Sequence, residues 1–430
     1  MNVFSMIRSL NRTQRNTFTA SFLGWTLDAF DFFVVTFVVI HIAKDFKVAV
    51  PLIALSITVT LMMRPVGALI FGLLADCFGR RLPLMIDIIF YSMMELATAF
   101  SPNFTIFIVL RALYGIGMGG EWGLGASMAM ETLPTESRGL FSGILQQGYA
   151  TGYLIAAVVF GLVYPSFGWR AMFIIGALPA LLVIFIRANV PESEIWQQQR
   201  VAIRERGSTF WRDMGAAITR HGWLVVYVII LMTAFNYMSH GTQDLYPTFL
   251  LSQRKLNTGT VSIIAIIYNI GAILGGTTFG YFSQRWGRRR TIIIASICGI
   301  IVIPLWTFSP SLILLTIGAF LLQFMVQGAW GVIPVHLNEL SPGSIRGTFP
   351  GFTYQIGNLI SANAVVLEAN FAQYFKSAKG VPDYATTLAV LALIVFIAVI
   401  ILTAFGPEAK GIEFTPDVGP TSGQKEALEV

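Results

Sequence analysis

The sequence is poor in charged residues and in cysteine. Asp, Glu, Lys and Arg make up 12% of the 430 residues, whereas soluble domains carry roughly 25%. The two cysteines, Cys77 and Cys298, have no metal-ligand spacing around them. No nucleophile–base pair or phosphate-binding loop is evident, and no polar stretch is long enough for a catalytic module. These absences argue against an enzyme and against a resident metal ion or cofactor.

Long apolar runs are abundant. Hydrophobic residues make up 55% of the chain, and each run of about 20 such residues can cross roughly 30 Å of hydrocarbon as a helix. The runs do not alternate over about ten residues, as the strands of a membrane β-barrel would. We predict an all-α membrane protein with spans at 18–42, 51–75, 82–101, 103–130, 138–165, 168–188, 221–250, 259–283, 291–309, 311–338, 346–375 and 382–405.

Basic residues are distributed unequally between the two ends of these spans. The net charge is +6, and of 28 Lys and Arg we place 19 on the side of the termini and seven on the other. The rich side is cytoplasmic by the positive-inside rule, so the charge indicates orientation in a lipid bilayer and not a nucleic-acid partner. Met1 to Asn16 lacks a cleavage site and is interpreted as a tail. Short termini and compact loops favour the bacterial cell inner membrane.

The chain repeats itself at an offset of 208 residues. Such repeats are typical of secondary transporters, with the site near midplane between the halves. We predict pseudo-symmetric six-helix halves at 18–188 and 221–405, a cytoplasmic linker at 189–220, and cytoplasmic tails at 1–17 and 406–430. The repeated residues are Gly72, Gly79, Arg80 and Arg81 with Gly280, Gly287, Arg288 and Arg289; Gly120, Trp122 and Gly123 with Gly328, Trp330 and Gly331; and Glu131, Arg138 and Gly139 with Glu339, Arg346 and Gly347.

Two segments resemble motifs of the major facilitator superfamily. Gly72 to Arg81 resembles its loop between spans 2 and 3, with a second copy at Gly280 to Arg289, and Arg111 to Gly120 resembles its fourth-span motif. The resemblance implies a major facilitator fold with twelve helices. Aspartate at a helix end can cap it and pair with arginine, so these motifs can gate access, or they can simply join helices. The candidate gating residues are Gly72, Asp76, Gly79, Arg80, Arg81, Glu131, Arg138, Glu339 and Arg346, with Glu131–Arg138 and Glu339–Arg346 as possible ion-pair latches.

Acidic side chains inside the spans are functional candidates, because each costs about 2.5–3.5 kcal/mol on insertion scales. Asp28 and Asp31 lie three residues apart on one helix face, and two close carboxylates favour a site that takes up and releases a proton. The alternative is permanent pairing with a fixed cation. Glu121 is a further candidate for proton coupling or for a structural contact. Asp87 and Glu95 in span 3 have no predicted role.

Two arginines also lie within the predicted spans. An anionic substrate needs a cation or strong donors, and the Arg64 guanidinium, about mid-span, can hold a carboxylate through two parallel hydrogen bonds. We predict that Arg64 binds substrate and that Arg111 takes part in proton coupling. The alternatives are that Arg64 pairs with Asp28 or Asp31, and that Arg111 pairs with a structural acid.

Span 7 carries a dense polar run, NYMSHGTQDLYPT, from Asn236 to Thr248. Its helical spacing forms a polar stripe, and a histidine among so many polar neighbours is better explained as cavity lining than as packing. The run resembles the signature N-x-x-S/T-H-x-S/T-Q-D-x-x-x-T of Jen-type monocarboxylate–proton symporters, in the sialate:proton symporter family. This resemblance implies a part in translocation for Asn236, Ser239, His240, Thr242, Gln243, Asp244 and Thr248; we assign Asp244 to proton coupling and the first five to substrate binding.

The resulting hypothesis is proton-coupled symport of short monocarboxylates such as lactate and pyruvate by alternating access. The partners are then a small carboxylate anion and a proton, without an obligate protein partner. A sialic-acid or aromatic-acid symporter is the alternative, because Asp28-Ala29-Phe30-Asp31 resembles the D-G-F/Y-D motif of those carriers with Ala29 in place of glycine. A channel or membrane receptor is less well supported, since the two-half repeat suits alternating access.

Overall fold

The computed structural model describes residues 3–205, 209–375 and 382–414, and nearly all regular structure in these ranges is helical. Of the predicted tails and linker, residues 1–2, 206–208 and 415–430 lie outside the described residues. Residues 376–381, in the loop before span 12, lie outside them as well.

Within the described ranges, twelve spans follow one another along the chain. Spans 1–4 are Arg12–Phe46, Val50–Phe78, Arg81–Ala99 and Phe104–Thr132; spans 5 and 6 are built from Arg138–Gln146, Gly148–Ile175 and Ala180–Asn189; span 7 is Phe210–Gln243, extended by Tyr246–Thr248 and the π-helical Phe249–Gln253; spans 8 and 9 are Thr258–Trp286 and Arg288–Thr307; span 10 is Leu312–Trp330 with Ile333–Leu340; span 11 is Phe349–Ser361 with Ala364–Tyr374; and span 12 is Tyr384–Phe405.

Ten helical stretches of the described chain are long and apolar enough to cross a membrane. The stretch Arg138–Asn189 counts once but contains two spans, because Gly168 (φ 73°, ψ −177°) interrupts its helix. Span 11, which is divided after Ser361 into helices of 13 and 11 residues, is not among the ten. The predicted twelve-helix fold is therefore confirmed, and the ten stretches are fewer than the twelve spans because one stretch holds two spans and span 11 is not counted.

Several helices extend beyond the apolar runs that predicted them. Span 1 begins at Arg12 because Asn11 and Gln14 form a capping box, in which each side chain accepts the other's backbone N–H at 2.8–3.0 Å. Span 7 begins at Phe210, and its helix kinks at His221, where the predicted span begins. Short helices, Val3–Ser9 and Glu194–Glu205, occupy parts of the predicted tail and linker.

The outer surface of the bundle is apolar. Leu162, Trp223 and Phe405 are 74–88% exposed, and many other large apolar side chains are exposed with them. Continuous exposed apolar surface is unfavourable in water, so this surface suits contact with lipid chains.

The two halves meet most closely at one end of the bundle. We call the end that carries Glu194–Glu205 the linker face, and the other end the far face. A Cβ atom on Gly143 (span 5) would lie 2.3 Å from the Gly276 carbonyl oxygen (span 8), and one on Gly123 (span 4) would lie 2.7 Å from the Gly351 Cα (span 11). Larger residues would separate these backbones. The linker face is therefore closed.

Candidate functional site

Seven ionisable side chains of spans 1–4 are buried away from the bundle ends. Five are acids and two are arginines, so carboxyl groups outnumber guanidinium groups by three in this part of the described chain. An unpaired charge in such surroundings is costly, and this cluster therefore needs a functional explanation. The residues, each at most 2% exposed, are Asp28, Asp31, Arg64, Asp87, Glu95, Arg111 and Glu121.

Arg111 in span 4 forms a buried ion pair with Glu95 of span 3 through its Nη2 atom. The same atom donates a hydrogen bond to Thr98 Oγ1 at 3.1 Å, and the guanidinium lies 4.3 Å from the centre of the Tyr114 ring. Pairing with an acid was the predicted alternative for Arg111, and its part in coupling stays a prediction. Glu95, which had no predicted role, is its partner.

Asp31 lies beside this ion pair. A Cβ atom on Gly176 would be 2.7 Å from Asp31 Oδ1 and 3.2 Å from Glu95 Oε1, so the two carboxyl groups meet at one backbone position. Neither carboxyl oxygen of Asp31 has a hydrogen-bond partner among the described residues. Asp31, Glu95 and Arg111 therefore form one cluster in which two acids face a single guanidinium.

Asp28 is held by Tyr114, whose hydroxyl donates to the Asp28 carbonyl oxygen at 3.0 Å and reaches its Oδ1 at 3.4 Å. It lies within electrostatic range of Asp31 and Arg64, so the predicted proximity of the two aspartates is present. Glu121 and Asp87 also interact with Asp28. A Cβ atom on Gly24 would lie 2.0 Å from Glu121 Oε1, which places Glu121 against span 1. Asp28 thus connects the buried acids of spans 1, 3 and 4.

Arg64 is the central residue of the span 2 helix, Val50–Phe78. It is 2% exposed, and its Nε and Nη2 atoms have no hydrogen-bond partner among the described residues. The predicted alternative, an ion pair with Asp28 or Asp31, is not formed within 4 Å in the described chain. Its guanidinium instead lies 5.8 Å from the centre of the Tyr354 ring in span 11, so this cation faces the opposite half.

The helix of span 7 ends at Gln243, inside the polar run, and Asp244 and Leu245 are not helical. Pro247 explains the break, because its ring would collide with the Gln243 carbonyl group in a continuous helix. The predicted span, 221–250, lies within the helical stretch Phe210–Gln253, which this break divides. The break places Gln243 and Asp244 at the wall of a cavity.

Hydrogen bonds join this polar run to span 10. Gln323 Nε2 donates to Thr242 Oγ1 at 3.1 Å, and Gln243 Nε2 donates to Gln323 Oε1 at 2.8 Å and to Ser239 Oγ at 3.4 Å. Asn236 is buried and donates to the main chain of its own helix. The structure thus connects three of the predicted substrate residues, Ser239, Thr242 and Gln243, through a glutamine of span 10.

His240 points to span 11. Its Nδ1 atom lies 2.9 Å from Asp244 Oδ2, and its Nε2 atom lies 3.4 Å from Asn358 Oδ1. The His240 and Asp244 side chains are 32% and 34% exposed, so both are partly accessible. The structure thus pairs a predicted substrate residue with a predicted coupling residue, and Asn358 links the pair to the helix Phe349–Ser361 of span 11.

A cavity of about 180 Å³ lies between the halves, lined by spans 1, 5, 7, 8 and 10. Gln243 and Asp244 contribute to its wall together with Tyr149 and Gln147 of span 5. Tyr149 also lies within electrostatic range of Arg64, Asp28 and Tyr354. One tyrosine therefore bridges the charged cluster of the N-terminal half and the polar run of span 7.

The linker face is closed by a network around Asp76. Its carboxylate accepts hydrogen bonds from the backbone N–H groups of Gly347 and Thr348 at 2.7 and 3.0 Å, and from Arg80 Nη1 at 2.7 Å. This places an anion at the N-terminus of span 11, where the helix dipole favours it. Arg80 also pairs with Glu131 at 3.0 Å. The proposed Glu131–Arg138 latch is therefore wrong, because Arg80 occupies Glu131 and Arg138 donates to the carbonyls of Met130 and Ile412.

The C-terminal half repeats this network with a neutral residue at the position of Asp76. Gln284, at the position equivalent to Asp76, accepts from the Gly139 N–H at 3.1 Å and donates to the Thr135 carbonyl at 2.8 Å. Glu339 receives two hydrogen bonds from Arg288, at 2.8 and 2.9 Å. The predicted partner of Glu339 was Arg346, which donates to the Ser341 carbonyl and stacks on the Phe414 ring.

The remaining motif residues also lie at the linker face. A Cβ atom on Gly72 would lie 2.7 Å from the Thr348 Cα, and Gly79 has a φ of 100°. Glu192 accepts the backbone N–H groups of Arg80 and Arg81 at 2.7 and 3.1 Å. Its counterpart is Glu408, which accepts those of Arg288 and Arg289. Sequence reasoning missed both acids, although each follows a proline after the last span of its half.

Comparison with known proteins places this arrangement in a family. Residues 21–257 match the profile of the Major Facilitator Superfamily, and residues 214–410 match that of the Sugar (and other) transporter family. The carboxylic acid transporter protein homolog of Saccharomyces cerevisiae is 30% identical over 92% of this chain and 68% of its own length. The sialic acid transporter NanX of Escherichia coli is 29% identical, over 91% and 95%.

A solved structure shows the same fold. The proton:xylose symporter XylE superposes with a TM-score of 0.74 at 17% identity, covering 94% of this chain and 98% of that one. With a matching profile, two halves of six helices and a closed linker face, the chain belongs to the Major Facilitator Superfamily of membrane transporters.

Proposed function

We propose that this transporter carries short monocarboxylates, such as lactate and pyruvate, together with a proton. The observation that carries the proposal is Arg64, a buried guanidinium at the interface of the halves with unpaired Nε and Nη2 atoms. Burying an unpaired charge is costly, and a substrate carboxylate could relieve this cost through two parallel hydrogen bonds. An anionic substrate therefore fits the site better than a sugar.

The excess of buried acids supports proton coupling. Asp28, Asp31 and Glu95 share the field of Arg111 and Arg64, and three carboxylates near two guanidiniums cannot all stay charged cheaply in a low dielectric. In the proposed cycle a proton on Asp28 or Asp31 balances this charge while Arg64 turns to the substrate. One proton with one monoanion is electroneutral, so the pH gradient would drive transport.

The size of the cavity favours small acids. At about 180 Å³, the cavity is smaller than the roughly 300–1,000 Å³ of pockets that hold drug-sized ligands, which suits a small acid. The yeast relative is named for carboxylic acids. Similarity to NanX, which is named for sialic acid, keeps a sugar-acid or aromatic-acid symporter as the second candidate.

The closed linker face supports an alternating-access cycle. We propose that this face is cytoplasmic, as the distribution of basic residues indicates, and that the structure is the outward-facing state. Asp76, Arg80, Glu131 and their counterparts would then hold the cytoplasmic gate shut until substrate and proton bind. Release inward requires these contacts to break, and we place the motif residues in this gating role.

Uptake of labelled lactate into proteoliposomes with an imposed pH gradient tests the proposal. We expect saturable uptake that pyruvate inhibits, with weak inhibition by benzoate and sialate. The same uptake is measured for Arg64→Ala. Its control is Arg170→Ala, which changes an exposed arginine at the far face. Transport of sialate or benzoate without any lactate transport would replace the substrate class, and persistent conductance without saturation would favour a channel.

A further inference from the structure

Glu368 is a buried acid in the far-face helix of span 11, Ala364–Tyr374. The residue is 2% exposed, and neither carboxyl oxygen has a hydrogen-bond partner among the described residues. A Cβ atom on Gly241, the residue after His240, would lie 3.2 Å from Glu368 Oε1. The carboxyl group therefore lies against span 7 at Gly241, next to the histidine in sequence.

The charged surroundings of Glu368 are simple. Span 7 contributes His240 and Asp244, both of which act on it electrostatically. Span 12, Tyr384–Phe405, contains no ionisable residue except Tyr384, and Asp383 before it is occupied by Gln253 and Thr386. Among the described residues, Glu368 therefore interacts electrostatically with one cluster, formed by His240 and Asp244. In this cluster His240 already has hydrogen-bond partners on Asp244 and Asn358.

We propose that Glu368 is a proton-carrying residue of the C-terminal half and exchanges its proton with His240. When movement of the far-face helix brings the two groups into hydrogen-bond contact, the carboxyl O–H bond breaks as an N–H bond forms at Nε2, the imidazole nitrogen that now lies 3.4 Å from Asn358 Oδ1. The neutral pair then becomes a carboxylate and an imidazolium beside Asp244. The cavity wall that holds Asp244 thereby gains a positive charge close to the substrate. Glu368 acts through His240 and is a positioning residue for the anion.

This inference rests on the proposed function and adds a second proton locus to it. The acids of spans 1, 3 and 4 carry the proton in the N-terminal half, whereas Glu368, His240 and Asp244 carry it in the C-terminal half, toward the far face. The break between Ser361 and Ala364 separates the two helices of span 11, so Glu368 can move with the far-face helix when the bundle closes there.

Infrared difference spectroscopy of the purified protein in lipid, titrated between acid and neutral pH, tests the proton without any substrate. We expect a protonated-carboxyl band that is absent from Glu368→Gln and unchanged in Asn370→Ala, which alters an exposed residue of the same helix. In His240→Ala the midpoint of this band should move by at least about one pH unit, since the partner charge is gone. A spectrum of Glu368→Gln identical to that of the wild type overturns the proposal.

A double-mutant cycle on transport provides a second test of the exchange between Glu368 and His240. We measure the KM for lactate in counterflow at two external pH values for Glu368→Gln, His240→Ala and both together. Glu368→Gln should flatten the pH dependence of KM, and the double variant should match His240→Ala, because coupled residues are not additive. Additive effects contradict the exchange. If the wild type carries no carboxylate, the proposed function fails, while the infrared result still decides the role of Glu368.

Should Glu368→Gln not fold, Glu368→Asp retains a titratable acid at the same position. It should keep the carboxyl band and the pH-dependent KM. Loss of both from a folded Glu368→Asp protein would leave only a packing role and overturn the inference.

Discussion

The two halves share a scaffold and differ in buried charge. At the offset of 208 residues, Asp28 and Asp31 correspond to Asn236 and Ser239. The ion pair of Glu95 and Arg111 has no charged counterpart either, and Arg64 corresponds to an alanine. At these five positions the C-terminal half therefore carries neutral side chains, polar at Asn236 and Ser239 and apolar at the other three, where the N-terminal half carries charge.

At the linker face the same comparison gives the opposite result. Arg80 with Glu131 and Arg288 with Glu339 form equivalent ion pairs, and Asp76 and Gln284 both accept a backbone N–H from the other half. The closed linker face is thus nearly symmetric whereas the membrane interior is not. The difference teaches that the two halves share the contacts that close the fold, while their buried ionisable groups differ in number and in position.

Replacing Arg64 should have the largest effect. A hydrogen bond to a charged group is worth about 1.5–3 kcal/mol, so losing a pair of them predicts at least about 100-fold weaker lactate uptake for Arg64→Ala. Arg64→Lys keeps the charge but loses the paired geometry and should recover only part of the activity. Initial rates in proteoliposomes measure both, and normal uptake by Arg64→Ala would remove Arg64 from the site.

Asp31→Asn should separate transport from the proton gradient. Asp31→Asn removes the titratable group beside Glu95 and Arg111, so lactate would cross without the proton that is coupled to it. We therefore expect accumulation of lactate against its gradient to fall by about tenfold or more. Counterflow exchange should persist. Thr36→Ala, which changes an exposed residue of the same helix, is the control and should leave gradient-driven accumulation in place. Full accumulation by both Asp31→Asn and Asp28→Asn would show that the coupling site lies elsewhere.

Gly143→Val should prevent the linker face from closing. The added side chain would meet the Gly276 carbonyl group, and forcing extra atoms into a close contact costs about 1–3 kcal/mol, which predicts roughly a tenfold loss of uptake. Gly161→Val is the control on the same span, because nothing lies within 4 Å of a Cβ there. Alkylation of Cys77, which borders the linker-face cavity, should rise in Gly143→Val and stay unchanged in Gly161→Val.

The smallest effects are expected at the two capping positions. Asp76→Asn loses the favourable charge at the N-terminus of span 11, worth about 1 kcal/mol, while Arg80 keeps its ion pair with Glu131, so uptake should slow several-fold. Gln284→Ala loses neutral hydrogen bonds and should slow uptake less. The two variants are compared by their initial rates of lactate uptake at equal amounts of reconstituted protein. A larger loss of uptake in Gln284→Ala than in Asp76→Asn would contradict this ranking of the two capping positions.

Sequence patterns predicted the spans, the repeat and the polar run of span 7, because hydrophobicity and spacing act locally. They could not predict which charges pair. Glu131 was paired with Arg138 from nearness in sequence, yet packing of spans 2 and 4 brings Arg80 to it. Glu95 had no role until the packing of spans 3 and 4 placed it on Arg111.

Helix breaks were the second feature that the sequence predicted only in part. Pro247 signalled the bend in span 7, but the division of span 11 near Ala362 has no proline or glycine to mark it. Glu368 falls within the predicted span 346–375, and its position near His240 depends on a break that tertiary packing fixes.

The most direct test of the account is simultaneous measurement of lactate and proton entry into proteoliposomes. We expect about one proton for each lactate and a rate that responds to the pH gradient but not to an imposed membrane potential, because one proton and one monoanion carry no net charge. Lactate entry without proton entry, or entry accelerated by the potential alone, would contradict proton-coupled symport by this protein.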